Sequence, residues 1–97
     1  MSEVTQAPPP APERVLIVED DPATRTGLAE LVQAWGFLTD EAADGEAAMR
    51  KVTTFRPAII VSDLVMPRMG GLDLLHALKD QLTDLTFILL TAQVIQN

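Results

Sequence analysis

Short, strongly apolar runs recur along this chain, separated by segments whose apolar residues fall at helical rather than strand spacing. Val15-Leu16-Ile17-Val18, Ala58-Ile59-Ile60-Val61 and Phe87-Ile88-Leu89-Leu90 are continuous, the pattern of strands buried on both faces beneath layers of helices. Phe37 to Ala42 is short and mixed, which suits an edge strand. After the first run, Asp21 as N-cap and Pro22 in the first turn open a helix in which Leu28, Leu31, Val32 and Trp35 make one stripe, stopped by Gly36. Asp44-Gly45 turns the chain into a second helix with Ala48, Met49, Val52 and Phe55 on one side, closed by Pro57. The loop Met66-Pro67-Arg68-Met69-Gly70-Gly71 leads into a third helix with Leu72, Leu75 and Leu78 inward. The order β-α-β-α-β-α-β predicts an α/β domain with a parallel sheet and right-handed crossovers.

In such a sheet, ligands collect beyond the carboxyl ends of the strands, so the residues just after the apolar runs come first as candidates for chemistry. These are Glu19-Asp20, Asp63 and Thr91. Bringing Glu19, Asp20 and Asp63 to one sheet edge sets carboxylates against each other, and each raises the pKa of its neighbours. A hard divalent cation offsets that repulsion, and the all-oxygen donor set suits Mg²⁺ better than zinc. The bland reading, a strand-end acid that caps the next helix, fits Asp21. It fits Asp63 poorly, because Leu64, Val65, Met66 and Pro67 separate it from the following helix.

Length and charge narrow the function further. At 97 residues, 47% hydrophobic, there is room for one domain. Seven basic against fourteen acidic residues give a formal charge of -7, which repels nucleic-acid phosphates and anionic membranes. Cysteine is absent, which excludes disulfides, thiolate metal sites and thiol nucleophiles. No secretory signal or membrane-spanning run is present, so the expected location is the cytoplasm. Residues 1–13, rich in Pro and small side chains, read as a disordered leader, and 14–97 as the folded domain.

From Arg14 to Ala92 the chain resembles the response-regulator receiver family of two-component signalling. VLIVEDD is similar to its first strand and acidic pair, IIVSDLVMPRMGGLDLL to its phosphorylation strand and loop, and FILLTA to its fourth strand and switch hydroxyl. Three such motifs in this order on an alternating β/α pattern are specific together. The resemblance implies a flavodoxin-like, doubly wound parallel sheet. It implies that Asp63 takes the phosphoryl group, that Asp20 and Asp63 bind Mg²⁺ directly and Glu19 mainly through water, and that Val65 adds its backbone carbonyl. Thr91 is then the switch hydroxyl, and small Ala92 keeps the site open. The implied donor is a phosphohistidine on a sensor histidine kinase or phosphotransfer protein. An output domain or self-association is the implied further partner, and the chain catalyses only its own phosphorylation and dephosphorylation.

The family fold continues through a fourth helix, a fifth strand ending in Lys-Pro and a fifth helix, none with a counterpart before Asn97, so the domain is expected to be incomplete at its C-terminus. The phosphate-binding lysine has no candidate, since Lys51 and Lys79 read as solvated helix residues. Without those elements Phe87–Leu90 becomes an apolar edge, and the Leu28-Leu31-Val32-Trp35 stripe loses a flanking helix. Gly70 stands where many members carry an acid, a turn position where Gly accepts any geometry. Trp35 and Phe55 read as core packing, His76 as a partly exposed helix residue and Arg68 as a solvated loop residue. A receiver-like module that binds partners without phosphorylation stays open as the alternative. A haloacid-dehalogenase-type phosphatase needs a second Asp two residues after the nucleophile, where this chain has Val65.

Overall fold

The computed structural model describes residues 11–64, 66 and 69–90. Within them the chain runs β1 (Arg14–Val18), α1 (Pro22–Ala34), β2 (Leu38–Ala42), α2 (Gly45–Thr54), β3 (Ile59–Asp63), α3 (Gly71–Leu78), a 3₁₀ segment (Lys79–Asp84) and β4 (Thr86–Leu90). The strands form one parallel sheet in the order β2-β1-β3-β4, so the α/β parallel sheet expected from the alternation and the doubly wound, flavodoxin-like architecture implied by the resemblance are present. The β1 strand lies inside, and mixed β2 is an edge, as its composition implies. Residues 1–10, which make up most of the expected leader, and Val65, Pro67, Arg68 and 91–97 lie outside the described residues.

Local chemistry sets the helix boundaries. The Asp21 carboxylate accepts from Thr24 N–H at 2.8 Å and from the Thr24 hydroxyl at 2.7 Å, satisfying an orphan donor at the start of α1. Asp44 caps α2 in the same way through Ala47 N–H at 2.8 Å. After Trp35 the chain leaves the helix through Gly36 at φ +99°, a left-handed conformation that L side chains rarely adopt.

Strand alternation divides the core into two layers. Leu16, Val18 and Ile60 face α2 and α3, burying Ala48, Met66, Leu74 and Leu78 with them; Phe55, Met49 and Val52 pack around this cluster. Val15 and Ile17 face the other way, onto Ala29 and Val32 of α1. Burying a side chain such as Ile17 completely stabilises the fold by about 1.5–3 kcal/mol.

Several expected packing faces are rotated. In α3 the inward residues are Gly71, Leu74 and Leu78, while Leu72 is exposed and Leu75 half-buried. In α1 the buried pair is Ala29 and Val32, while Leu31 is exposed and Trp35, expected in the core, is 67% exposed. Small Ala29 is the residue that lets α1 sit against Val15 and Ile17. Only α1 covers this face of the sheet among the described helices, and Ile88 and Leu90 at its β4 end are exposed. Continuous apolar composition therefore means burial on both faces for β1, but not for β4.

Candidate functional site

The register of the sheet brings the acidic residues together. Val18 pairs with Ala42 on one side and Ser62 on the other, so the chain leaving β1 emerges beside the end of β3. Glu19, Asp20 and Asp63 each present a carboxylate oxygen there, all within 4.8 Å of one another. Glu19 and Asp63 are half-buried and Asp20 is exposed, so the cluster opens to solvent at the carboxyl end of the sheet. The expected convergence of these three residues is thus present. Val65, Thr91 and Ala92 fall outside the described residues.

Asp63 sits on a tightly packed support. Leu64 N–H donates to the Leu90 carbonyl at 2.9 Å, and the buried Ser62 hydroxyl donates to the Asp63 carbonyl at 3.0 Å. The start of α3 presses on the same peptide. A Cβ at Gly71 would lie 2.5 Å from the Asp63 carbonyl oxygen and 2.6 Å from Leu89 Cδ2, so glycine is required there by close approach. Gly70, by contrast, has extended backbone with φ -80° and ψ 178°, so its turn geometry does not demand glycine; a Cβ there would lie 2.9 Å from the Leu64 carbonyl oxygen.

The turn between β1 and α1 is fixed by Glu19 and its neighbours. Glu19 N–H donates to the Ala42 carbonyl at 3.0 Å, and Asp21 N–H donates to Glu19 Oε2 at 2.9 Å. Burial pushes the Glu19 carboxyl above its ordinary value; the Asp21 N–H pulls it back, and Asp20 and Asp63 push it up again, leaving it raised. Arg25, one turn into α1, was not legible as a site residue. Its Nη1 donates to the Glu19 carbonyl at 2.8 Å and its Nε to Glu41 Oε1 at 3.2 Å. An arginine soon after a strand-end acidic pair is the only signal in the sequence, and the tie to β2 leaves none.

The donor set fits a hard cation. Three oxygens at this spacing approach the span that one ion with metal–oxygen distances of about 2.0–2.6 Å bridges directly or through water. Among the described residues, Arg25 is engaged on the Glu19 carbonyl and Glu41, and Lys51 on Asp40. That ion pair corrects the expectation that Lys51 is merely solvated. A concave region, lined by Arg14, Arg56, Pro57 and Asp84, lies at the amino ends of β1 and β3, away from the carboxylates.

Residues 15–96 match the model of the response regulator receiver domain family. Response regulator MprA of Mycolicibacterium vanbaalenii is 35% identical over 82 residues, which are 84% of this chain and 36% of that protein. The chain therefore spans about a third of the length of that curated relative. Among solved structures, the chemotaxis protein CheY4 of Vibrio cholerae superposes with a TM-score of 0.80 at 30% identity, covering 88% of this chain and 72% of that one. The response regulator TrrA of Thermotoga maritima, crystallised with Mg²⁺ and BeF, gives 0.78 at 33% identity over 84% of this chain and 70% of that one. No described helix is long and apolar enough to cross a membrane.

Proposed function

This chain belongs to the response regulator receiver domain family, and we propose that Asp63 accepts a phosphoryl group from a phosphohistidine of a sensor histidine kinase or phosphotransfer protein. The observation that carries this reading is the gathering of Asp63, Glu19 and Asp20 within 4.8 Å at the carboxyl ends of β3 and β1. An isolated strand-end aspartate would have no such company.

In the proposed reaction a carboxylate oxygen of Asp63 attacks phosphorus in line with the imidazole nitrogen. A P–O bond forms, the P–N bond breaks with its electron pair passing to the imidazole, and an aspartyl phosphate results. Phosphoryl transfer of this kind depends on positioning and charge neutralisation more than on a strong base. Asp20 and Asp63 would hold Mg²⁺ directly, Glu19 mainly through water and Val65 through its carbonyl, and the ion would supply positive charge to the phosphoryl oxygens. The main-chain support from Ser62, Gly71 and Leu64 keeps the Asp63 peptide in place while its carboxylate reacts. Thr91 then donates its hydroxyl to a phosphoryl oxygen, and Ala92 leaves the donor room to approach. The phosphorylated form biases an equilibrium between two conformations, which an output domain or a second copy reads. Water hydrolyses the acyl phosphate and resets the domain.

The test is incubation with acetyl phosphate and Mg²⁺. A hydroxylamine-labile phosphoryl adduct that disappears in Asp63→Asn supports the assignment; an adduct of the same yield in Asp63→Asn contradicts it.

A further inference from the structure

We propose that Arg25 is a positioning residue of the acidic cluster, clamping the β1–α1 turn from outside so that the Glu19 and Asp20 carboxylates stay turned toward Asp63. This rests on reading the cluster as a cation and phosphoryl site. The need for a clamp arises from charge. Glu19 and Asp20 are adjacent, Asp63 faces them, and all three offer oxygens within 4.8 Å, so mutual repulsion acts to open the turn whenever no cation is bound.

Three contacts oppose that opening, and they hold different parts of one residue. The N–H of Glu19 is held by the Ala42 carbonyl at 3.0 Å, its carboxylate by Asp21 N–H at 2.9 Å, and its carbonyl by Arg25 Nη1 at 2.8 Å. Only the last comes from a side chain. The guanidinium is itself steered, because Nε donates to Glu41 Oε1 at 3.2 Å, on the strand whose Ala42 carbonyl takes the Glu19 N–H. Arg25 thus ties α1, the turn and the end of β2 into one unit. Its side chain is only 19% exposed, which sets it apart from an ordinary surface ion pair. A lysine has one nitrogen and cannot reproduce two donors at fixed angles, so the role calls for arginine.

Arg25 touches neither Asp63 nor the proposed ion, so its effect runs through the turn. Supporting residues of this kind, once removed, weaken metal binding about 10–100-fold. Alanine is the most favourable residue for the helix itself, so Arg25→Ala leaves α1 able to form.

The experiment compares the 97-residue wild type with Arg25→Ala, Arg25→Lys and Glu41→Gln. Two readouts are taken: amide hydrogen exchange of Glu19, Asp20 and Asp21 without metal, and Mg²⁺ affinity by NMR titration with Mn²⁺ as paramagnetic probe. The expected result for Arg25→Ala is faster exchange at these amides and Mg²⁺ affinity weaker by about 10-fold. The metal-free variant should still melt cooperatively, so that the loosened amides report the turn and not a globally unfolded chain. Arg25→Lys should resemble Arg25→Ala, and Glu41→Gln should fall between. Full rescue by lysine would mean that charge alone matters and would overturn the proposal, as would unchanged exchange and affinity in Arg25→Ala. Should the wild type itself bind no Mg²⁺, the cation reading fails separately. Exchange at Glu19–Asp21 then still decides the clamp, with wild-type protection in Arg25→Ala overturning it and loosened amides supporting it.

Discussion

Lys51 Nζ lies 2.9 and 2.8 Å from the two carboxylate oxygens of Asp40, joining α2 to the edge strand β2. Burial works to raise the Asp40 carboxyl, but the hydrogen bonds from Lys51 and from Glu41 N–H outweigh it and hold the group below its ordinary 3.8. A depressed carboxyl contributes stability that is complete above its unfolded value and disappears as pH falls through the folded one. Both side chains are more than a third or about a third exposed, so solvent screening keeps the pair to about 0.5–1 kcal/mol. Lys51→Met should therefore lose about that much in urea unfolding at pH 7. The gap between variant and wild type should narrow once pH falls below 3.8. A gap that stays constant down to acid would show that packing of the lysine stem, not the ion pair, is what matters.

Glu19 has the opposite sign. Its raised carboxyl means that the folded chain holds the proton more tightly than the unfolded one, so the metal-free protein loses stability as pH rises through the range above 4.5. Glu19→Gln should flatten this part of the pH profile and melt higher than wild type at neutral pH without Mg²⁺. With Mg²⁺ the order should close or reverse, because wild type gains RT ln(1 + [L]/Kd) and the variant gains less. Thermal melts at two pH values with and without Mg²⁺ check both halves.

Gly71→Ala sets a methyl group against Leu89 Cδ2 and against the Asp63 carbonyl oxygen, a backbone atom that cannot yield by a side-chain rotation. Overpacking of this kind costs about 1–3 kcal/mol, which urea unfolding should show. Phosphorylation should fall by more than the lost stability explains, since the displaced peptide is that of the acceptor. Gly27→Ala, where nothing lies within 4 Å of the added carbon, is the control expected to behave as wild type or better.

The face of the sheet behind α1 leaves Trp35, Ile88 and Leu90 exposed around an apolar groove lined by Val32, Phe37, Ile59 and Val61. The adjoining β4 edge has no partner strand within the described sheet, and edges of this composition recruit other chains. Taken alone, the 97-residue chain should sediment with a concentration-dependent mass and show a blue shift of Trp35 emission as it associates. Ile88→Glu with Leu90→Glu, which keeps Trp35 as the reporter, should abolish both. A monomer at all concentrations with sharp, dispersed amide signals would contradict this packing of the face.

How far the sequence could be read differed from element to element. Strands and the α1 cap were legible because their causes are local: continuous apolar runs, and Asp21 one residue before its helix. The acidic cluster was legible because parallel strands deliver the residues at their carboxyl ends to one edge of the sheet. The face of α3 was not. With Leu72, Leu74, Leu75 and Leu78 in one short helix, two stripes fit, and the true one runs through Gly71, which carries no apolar side chain to reveal it. Trp35 misled for a related reason: apolar spacing shows a face, but a partner must exist to cover it. Arg25 escaped because its partners, Glu19 backbone and Glu41, are set by tertiary packing across a crossover.

Asp63, and no other carboxylate of the cluster, is the proposed acceptor of the phosphoryl group. Borohydride reduction of the chain after treatment with acetyl phosphate and Mg²⁺ distinguishes the three carboxylates, because an aspartyl phosphate is reduced to homoserine, which peptide sequencing locates. Homoserine is expected at position 63, with its loss on Asp20→Ala together with Glu19→Ala, and none in untreated protein. Reduction at position 20, or conversion of Glu19 instead, would show that another carboxylate is the acceptor.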